Sequence, residues 1–569
     1  MSVPSSSAPL LQRPTFGELY LPKLVTVLRE GYGLVGLRAD AVAGITVAIV
    51  ALPLSMAIAI ASGASPDRGL YTAIIGGFLV SLLGGSRFQI GGPAGAFIVL
   101  VASAVDRHGI EGVMLATLIA GVFLMAAGLL RLGTFIKFIP YPVTVGFTAG
   151  IACIIFVSQV KDLLGLSIAG KEPAAIVPKL EVLAQSIGTV SPAAVGLSLL
   201  SIGIIAGTKR WRPSLPGMLV AVVVCAVATW AFGLPVETIG SRFGGIPSML
   251  PAPSLPSLSW AKVEAVLPDA VAFALLGAIE SLLSAVVADG MSGRRHRSNC
   301  ELLAQGVANI GSALFGGLPV TGTIARTATN VRAGARGPVA GMLHAIFLLL
   351  FMVVAAPLAA YIPLAALAGV LAVVAWNMAE REAFATLIKT SRGDAVVLLA
   401  TFLLTVFRDL TEGIVVGFAL GAALFIRRMA ASTGVEANAS PLVPGDRADN
   451  AGPRTPYDPS LATDDRVVVY RLSGAFFFGT ASILNAVLDR IADRHKALMI
   501  DFSAVSFVDS TAANTIAAIG HKAARHKVRV YFTGASASVR HTLLAAGARR
   551  PEVRYRQNIE DAVGEAHSV

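Results

Sequence analysis

The chain reads as an α-helical polytopic membrane protein: fourteen apolar spans in two halves of seven, the second half inverted, followed by a small cytosolic α/β domain. Three observations predict this. Hydrophobic residues fill 55% of the 569 positions and charged residues only 14%, with a mean hydropathy of +0.73. A soluble domain is about one quarter charged. Many windows carry almost no charge over roughly 20 residues, the length that hydrocarbon requires. After Arg428 short β-rich runs alternate with helical spacing instead.

Residues 1–39 are mixed in character and read as a cytosolic lead-in. No short apolar core before a small-residue cleavage site marks a signal peptide there. Apolar spans follow over 41–62, 69–84, 93–105, 112–130, 142–160, 193–207 and 216–232. A polar, proline-rich excursion covers 233–267, and a second series occupies 268–288, 301–316, 322–332, 338–356, 363–378, 395–408 and 411–426. Two of the spans are too short to cross alone. An odd number of spans in each half inverts the second half. DAVA at Asp40 and DAVA at Asp269 open the two halves alike.

Loop charges orient the chain. With the N-terminus in the cytosol, inner loops carry Arg87, then Arg131 and Lys137, then Lys209, Arg210 and Arg212. Later inner loops carry Arg294, Arg295 and Arg297, then Arg332 and Arg336, then Arg381, Lys389 and Arg392. This is the positive-inside pattern of a cytoplasmic-membrane protein with both termini cytosolic. It accounts for the net charge of +11 without nucleic acid as a partner. Cys153, Cys225 and Cys300 are too scattered for a disulfide framework or a metal motif.

The transmembrane unit is assigned to 40–429, a Pro/Asp/Ala/Ser-rich linker to 430–464 and the α/β domain to 465–569. RVVVYRL, ALMIDF and VRVYF are its expected strands, the second ending at Asp501; 480–494, 510–525 and 536–547 are its expected helices.

Two interrupted stretches carry the chemistry: GGPAGAF from Gly91 and GLPVTGTIARTATN from Gly317. Broken backbone at membrane depth is tolerated only where it lines a cavity or is buried in protein. Broken helices at corresponding places in two halves mark a transporter's binding site. Helix N-termini bind anions through free N–H groups and the dipole. Two of them meeting near the midplane form an anion cradle. Ala94, Gly95 and Ala96 leave room at the backbone, Thr321 and Thr323 add hydroxyls, and Arg326 adds a full charge. Glu280 is alone in LLGAIESLLSAVVA. An intramembrane carboxylate marks an ion pathway, so Glu280 is read as the site of a co-transported proton or as the partner of Arg326. Ser284, one turn on, donates to substrate or to its own helix. His344 is read as a packing residue. In the α/β domain Asp509 is an N-cap, with Ser510 and Thr511 at the helix start and Ser510 a candidate regulatory phosphosite. No nucleophile–base constellation suggests an enzyme, and no metal or cofactor is called for.

Together these stretches resemble the SulP anion transporters (solute carrier family 26) with a C-terminal STAS domain. The resemblance runs through VAIVALPLSMAIAIASGASPDRGLYTA from Val47, GGSRFQIGGPAGAF from Gly84, ESLLSAVVADGMSGRRHRSN from Glu280, GTIARTATNVRAGA from Gly322 and IDFSAVSFVDSTA from Ile500. Its motifs look closest to the DauA-type bacterial branch. The resemblance implies a core domain moving against a gate domain in an elevator motion, within a homodimer. It implies a substrate site of Leu54, Ser55, Ile58, Ala94, Gly95, Ala96, Phe97, Glu280, Ser284, Thr323, Ala325 and Arg326. Leu54 and Ile58 stand where many members carry glutamine and tyrosine, and Glu280 where the sodium-binding bicarbonate branch tends to carry aspartate. The expected activity is proton-coupled secondary transport of a sulfate-type oxyanion or a C4-dicarboxylate. Rival readings are sodium-coupled bicarbonate transport, an uncoupled anion channel, and a membrane sensor signalling through the STAS domain. Expected partners are the anion, protons before sodium, membrane lipid, a second copy and a cytosolic protein at the STAS domain.

Overall fold

The computed structural model describes residues 15–134, 140–168, 173, 175–212, 215–408, 410–431, 434–437, 467–476, 496–525 and 528–567. The chain divides into two compact units, Met1–Phe418 and Ala419–Val569. Residues 1–14, Lys137, most of the 430–464 linker and the helix expected over 480–494 lie outside the described residues.

Every expected span coincides with helix. The first series comprises α3 (Leu34–Ala61), α4 (Pro66–Tyr71) running through a π turn into α5 (Gly77–Leu83), α6 (Ile98–Leu129), α7 (Tyr141–Leu164), α9 (Pro192–Trp211) and α10 (Gly217–Phe232). The second comprises α12 (Trp260–Ser292), α13 (Ser298–Leu314), α14 (Ile324–Arg332), α15 (Val339–Ala359), α16 (Leu364–Met378), α18 (Arg392–Phe407) and α19 (Leu410–Ala431). Among the described residues eight helices are long and apolar enough to cross a membrane alone. The third and fourth spans share one continuous run, Gly95–Leu129. Gly109 breaks it at φ 67°, a conformation that glycine adopts without strain.

Short amphipathic pieces escape a search for apolar spans: α1 (Phe16–Tyr20), α2 (Lys23–Arg29), α8 (Ile176–Gln185), α11 (Ile239–Phe243) and α17 (Arg381–Thr390). The first two lie against the transmembrane helices. Tyr20 donates its hydroxyl to Gly128 O at 3.1 Å, and Arg297 Nη1 donates to Leu21 O at 2.7 Å.

The spans sort into two packing groups. In one, α6 packs on α12 and α13, α15 on α3 and α5, and α14 on α12 and α3. In the other, α7 packs on α16 and α18, and α9 on α16 and α10. These are the core and gate assemblies that the resemblance implies.

The broken stretches meet inside the first group. Gly91–Gly92 forms β1 and Thr321–Gly322 forms β2, paired antiparallel with Gly91 opposite Gly322 and Gly92 opposite Thr321. Each strand leads into a helix, so the two arms cross head to head as inverted halves require. Peptide groups outside a helix must find partners at this depth, and buried polar side chains supply them. Asn309 accepts from Val320 N at 2.9 Å and donates to Val320 O at 2.8 Å. Thr72 Oγ1 accepts from Leu318 N at 2.7 Å, and Thr327 Oγ1 accepts from Ile90 N at 3.1 Å. Asn330 Nδ2 donates to Phe88 O at 2.9 Å.

The C-terminal unit holds a five-stranded sheet ordered β3 (Gly434–Ala437), β4 (Val467–Phe476), β5 (Ala497–Val508), β6 (Arg529–Thr533) and β7 (Val553–Arg556). β3 is antiparallel to β4; the others run parallel. Leu472, Ile500 and Phe532 pack in one core with Ile516 of α20 (Ser510–Arg525) and Leu543 of α21 (Ala537–Ala545). On the other face Val469, Met499 and Tyr531 pack with Ile559 and Val563 of α22 (Ile559–His567). Two expectations change, and two elements are added. β5 continues past Asp501 to Val508, because its partner β4 shifts register twice and keeps pace with it. Gly434–Ala437 belongs to the sheet rather than to a linker. β7 and α22 were too short and too polar to read from sequence.

Candidate functional site

A cavity of about 450 Å³ lies where the crossed arms face the second helix group. Its first wall is Leu54 and Ile58 of α3, the turn Pro93–Ala96, Glu280 of α12, and Thr323, Ala325 and Arg326 at the start of α14. Its opposite wall comes from α7 (Thr144, Phe147, Thr148, Ile151) and α16 (Val374, Asn377, Met378). Arg332, Met291 and Glu380 also line it and are exposed. Arg332 opens the basic loop at 332–336 and Met291 precedes the one at 294–297, so the cavity opens on the side of those loops.

Local sequence sets this geometry. Gly95 opens the 3₁₀ turn Gly95–Phe97 that starts the third span, with Ala94 extended before it. Ile324 opens α14 after extended Thr323. The first N–H groups of both helices lack intrahelical partners and belong to segments that line the cavity. Gly92 has φ +158°, and a Cβ there would collide with Nη1 of Arg326. A Cβ at Gly322 would run into the Gln89 amide, which donates to Ser281 Oγ at 2.8 Å. Glycine at both positions therefore lets the arms close on each other.

Arg326 is 2% exposed. Its Nη2 donates to Pro93 O at 3.2 Å, while Nε and Nη1 have no partner. Oε2 of Glu280 is likewise unpartnered. The two side chains line one cavity, close enough to feel each other's charge but without an ion pair between them in this structure. A buried guanidinium with free donors, set between two helix N-termini, is complementary to an anion.

Nine of the twelve expected site residues line the cavity: Leu54, Ile58, Ala94, Gly95, Ala96, Glu280, Thr323, Ala325 and Arg326. Three do not. Ser55 follows Leu54 by about 100° of helix turn and is fully buried away from the wall. Phe97 turns into the core and meets Phe273 edge-on at 5.9 Å. Ser284 donates to Thr327 Oγ1 at 3.0 Å, joining α12 to α14 behind the cradle. Thr321 donates to Gly277 O at 3.1 Å and is also structural. His344 is buried in α15 outside the cavity wall, with both ring nitrogens unpartnered.

Sequence reasoning missed the opposite wall. Thr144, Phe147 and Thr148 sit in an ordinary apolar span, and only the charge of Glu380 at a span end was a signal. A second, larger cavity of about 580 Å³ is lined by Pro53, Met56, Val222, Trp230, Phe351 and their neighbours. It offers no charged side chain to hold an anion. In the C-terminal unit Asp509 Oδ1 accepts from Ala512 N at 2.7 Å, the expected N-cap, and Ser510 is exposed at the helix start.

Known proteins share this architecture. Residues 37–401 match the Sulfate permease family and residues 458–566 the STAS domain. The putative sulfate transporter YvdB of Bacillus subtilis is 39% identical over 521 residues, 91% of this chain and 95% of that one. The bicarbonate transporter BicA of Synechocystis is 32% identical, over 89% of this chain and 90% of that one. The solved transmembrane domain of a cyanobacterial BicA superposes with TM-score 0.63 at 34% identity, over 67% of this chain and 98% of that one. The structure of SLC26A9 superposes with TM-score 0.82 over 96% of this chain and 92% of that one; at 17% identity this speaks to fold.

Proposed function

The chain belongs to the sulfate permease family of anion transporters, as a multi-pass membrane protein with a STAS domain, and from that premise we propose that it is a proton-coupled secondary transporter working by an elevator movement. Its substrate is a small anion, either a sulfate-type oxyanion or a carboxylate such as a C4-dicarboxylate. The observation that carries this reading is the buried, half-satisfied guanidinium of Arg326 at the crossing of two broken helices, facing Glu280 across one cavity.

The steps follow from charge and geometry. A proton on Glu280 removes the repulsion between that carboxylate and an incoming anion, which is strong in a poorly screened cavity. The anion enters from the cytosolic mouth or, in the alternate state, from outside. It settles on the free donors of Arg326 and the first N–H groups of the two short helices. The core group then carries anion and proton past the largely apolar wall of the second group. The protein sits in the cytoplasmic membrane as a homodimer with both termini cytosolic, and its STAS domain is open to a cytosolic partner or to phosphorylation at Ser510.

The test is Arg326→Ala in purified protein. Anion affinity is expected to fall roughly ten- to a hundredfold, the worth of a charge-assisted hydrogen bond, with insertion and folding retained. Unchanged affinity would make Arg326 structural. A second reading, sodium-coupled bicarbonate transport, draws on the similarity to the BicA proteins. Uptake into proteoliposomes driven by sodium and indifferent to pH would select it.

A further inference from the structure

Arg326 and the cavity's backbone donors gather on one side. Arg326, which lines the cavity, has buried Nε and Nη1 without a partner, and the helix starts at Gly95 and Ile324 add backbone N–H groups. The hydroxyl protons of Thr323 and Thr148 are already spent on Ile90 O and Val145 O. Thr144 and Asn377 add polar groups on the facing wall, and around them the lining is hydrocarbon: Leu54, Ile58, Phe147, Ile151, Leu276 and Met378. With Glu280 protonated, Arg326, Arg332 and Glu380 are the charges that remain in the lining. A second negative charge set against Phe147 and Ile151 would lose its water without gaining a partner.

A tetrahedral oxyanion suits this poorly. It presents acceptors in every direction, and those turned toward Phe147 and Ile151 would lose water without gaining a partner. It is also small. Five heavy atoms displace on the order of two waters, roughly 60 Å³, and leave most of the apolar lining uncovered. A carboxylate has the complementary shape, with both oxygens at one end and carbon at the other.

Resting on the anion-transport reading above, we propose that the site takes an organic monocarboxylate with an apolar body of several carbons. Its carboxylate sits on Arg326 and the two helix starts, and its hydrocarbon lies against Leu54, Phe147 and Ile151. Leu54 and Phe147 then set specificity by making room for carbon where a polar side chain would favour a bare oxyanion.

Titration calorimetry on the purified full-length protein at pH 7.5 tests this with acetate, butyrate, hexanoate and benzoate beside sulfate, bicarbonate and succinate. Binding rather than uptake is measured, because long-chain acids cross bilayers in neutral form. Affinity is expected to rise roughly two- to fourfold per added methylene, with hexanoate and benzoate above every inorganic anion. Leu54→Gln and Phe147→Ala are expected to flatten that series, and Leu54→Gln to strengthen sulfate binding. Ala96→Trp, which fills the cavity, is expected to abolish it; a chain-length series that survives Ala96→Trp reports detergent partitioning and overturns the proposal. Tighter binding of sulfate, bicarbonate or succinate than of any monocarboxylate, lost in Arg326→Ala, overturns the proposal and leaves the anion reading standing. Binding of no anion, in wild type or variant, overturns both.

Discussion

Two residues divide the work of the cradle, and each can be tested by one substitution. Glu280 supplies the coupling in the proposed cycle. Glu280→Gln fixes the neutral state, so anion binding and counterflow exchange are expected to persist while accumulation under an inward pH gradient disappears. Uptake that still follows the pH gradient in this variant would move the proton elsewhere, and His344, buried with unpartnered nitrogens, would be the next candidate. Gly92 acts on Arg326 from the backbone. Alanine there faces both an unfavourable φ and a collision with Nη1, so Gly92→Ala is expected to displace the guanidinium and weaken anion binding at least tenfold. A binding isotherm equal to wild type would show that the cradle tolerates the shift. Arg326 and Glu280 were legible as charges in apolar runs. Ser55, Phe97 and Ser284 were misplaced because family position fixes the helix but not which way each side chain turns from it.

At the scale of elements, the two arms explain why so many polar residues are buried in a membrane unit. Asn309, Thr72 and Ser312 replace the hydrogen bonds that the segment Leu318–Val320 cannot make for itself. Asn309→Leu keeps the branched shape, with somewhat more bulk, and strands a peptide N–H and C=O. The expected cost is about 1–3 kcal/mol for each group, read as a clear drop in thermal midpoint of the purified membrane unit; a midpoint within error of wild type would mean that water or another side chain takes over. The arms themselves were readable, because Gly, Pro and Thr interrupt apolar runs at matching places in both halves. Their supports were not, since a lone Asn or Thr in a span has no sequence signal for what it bonds. The α7–α16 wall was hidden for a similar reason: Phe147 or Ile151 facing a cavity looks the same in sequence as one facing lipid. Strand β3 was unreadable because it is four residues long and gains its place only by pairing with β4.

At the scale of the molecule, the chain joins two units whose cores are built by different rules. The membrane unit satisfies the open backbone of its arms with its own side chains, and its arms, cavity and cradle are all contributed by residues before Phe418. The C-terminal unit has a two-sided sheet with its own cores, Leu472–Ile500–Phe532 on one face and Val469–Met499–Tyr531 on the other. Each unit has a hydrophobic core of its own, which is what a separately folding domain requires. The division also decides where to cut. Gly434–Ala437 is a strand of the second unit, so a truncation must remove it with the rest. Ending the chain near Ala430 is therefore expected to leave a protein that inserts, purifies as one species and binds its anion with unchanged affinity, because no cradle residue is lost. Turnover is expected to fall, because the role we propose for the STAS domain is in the movement of the core rather than at the site. Loss of anion affinity in the truncated protein would place part of the binding energy in the C-terminal unit. Failure of the truncated protein to accumulate in the membrane would show that the two units depend on each other to fold.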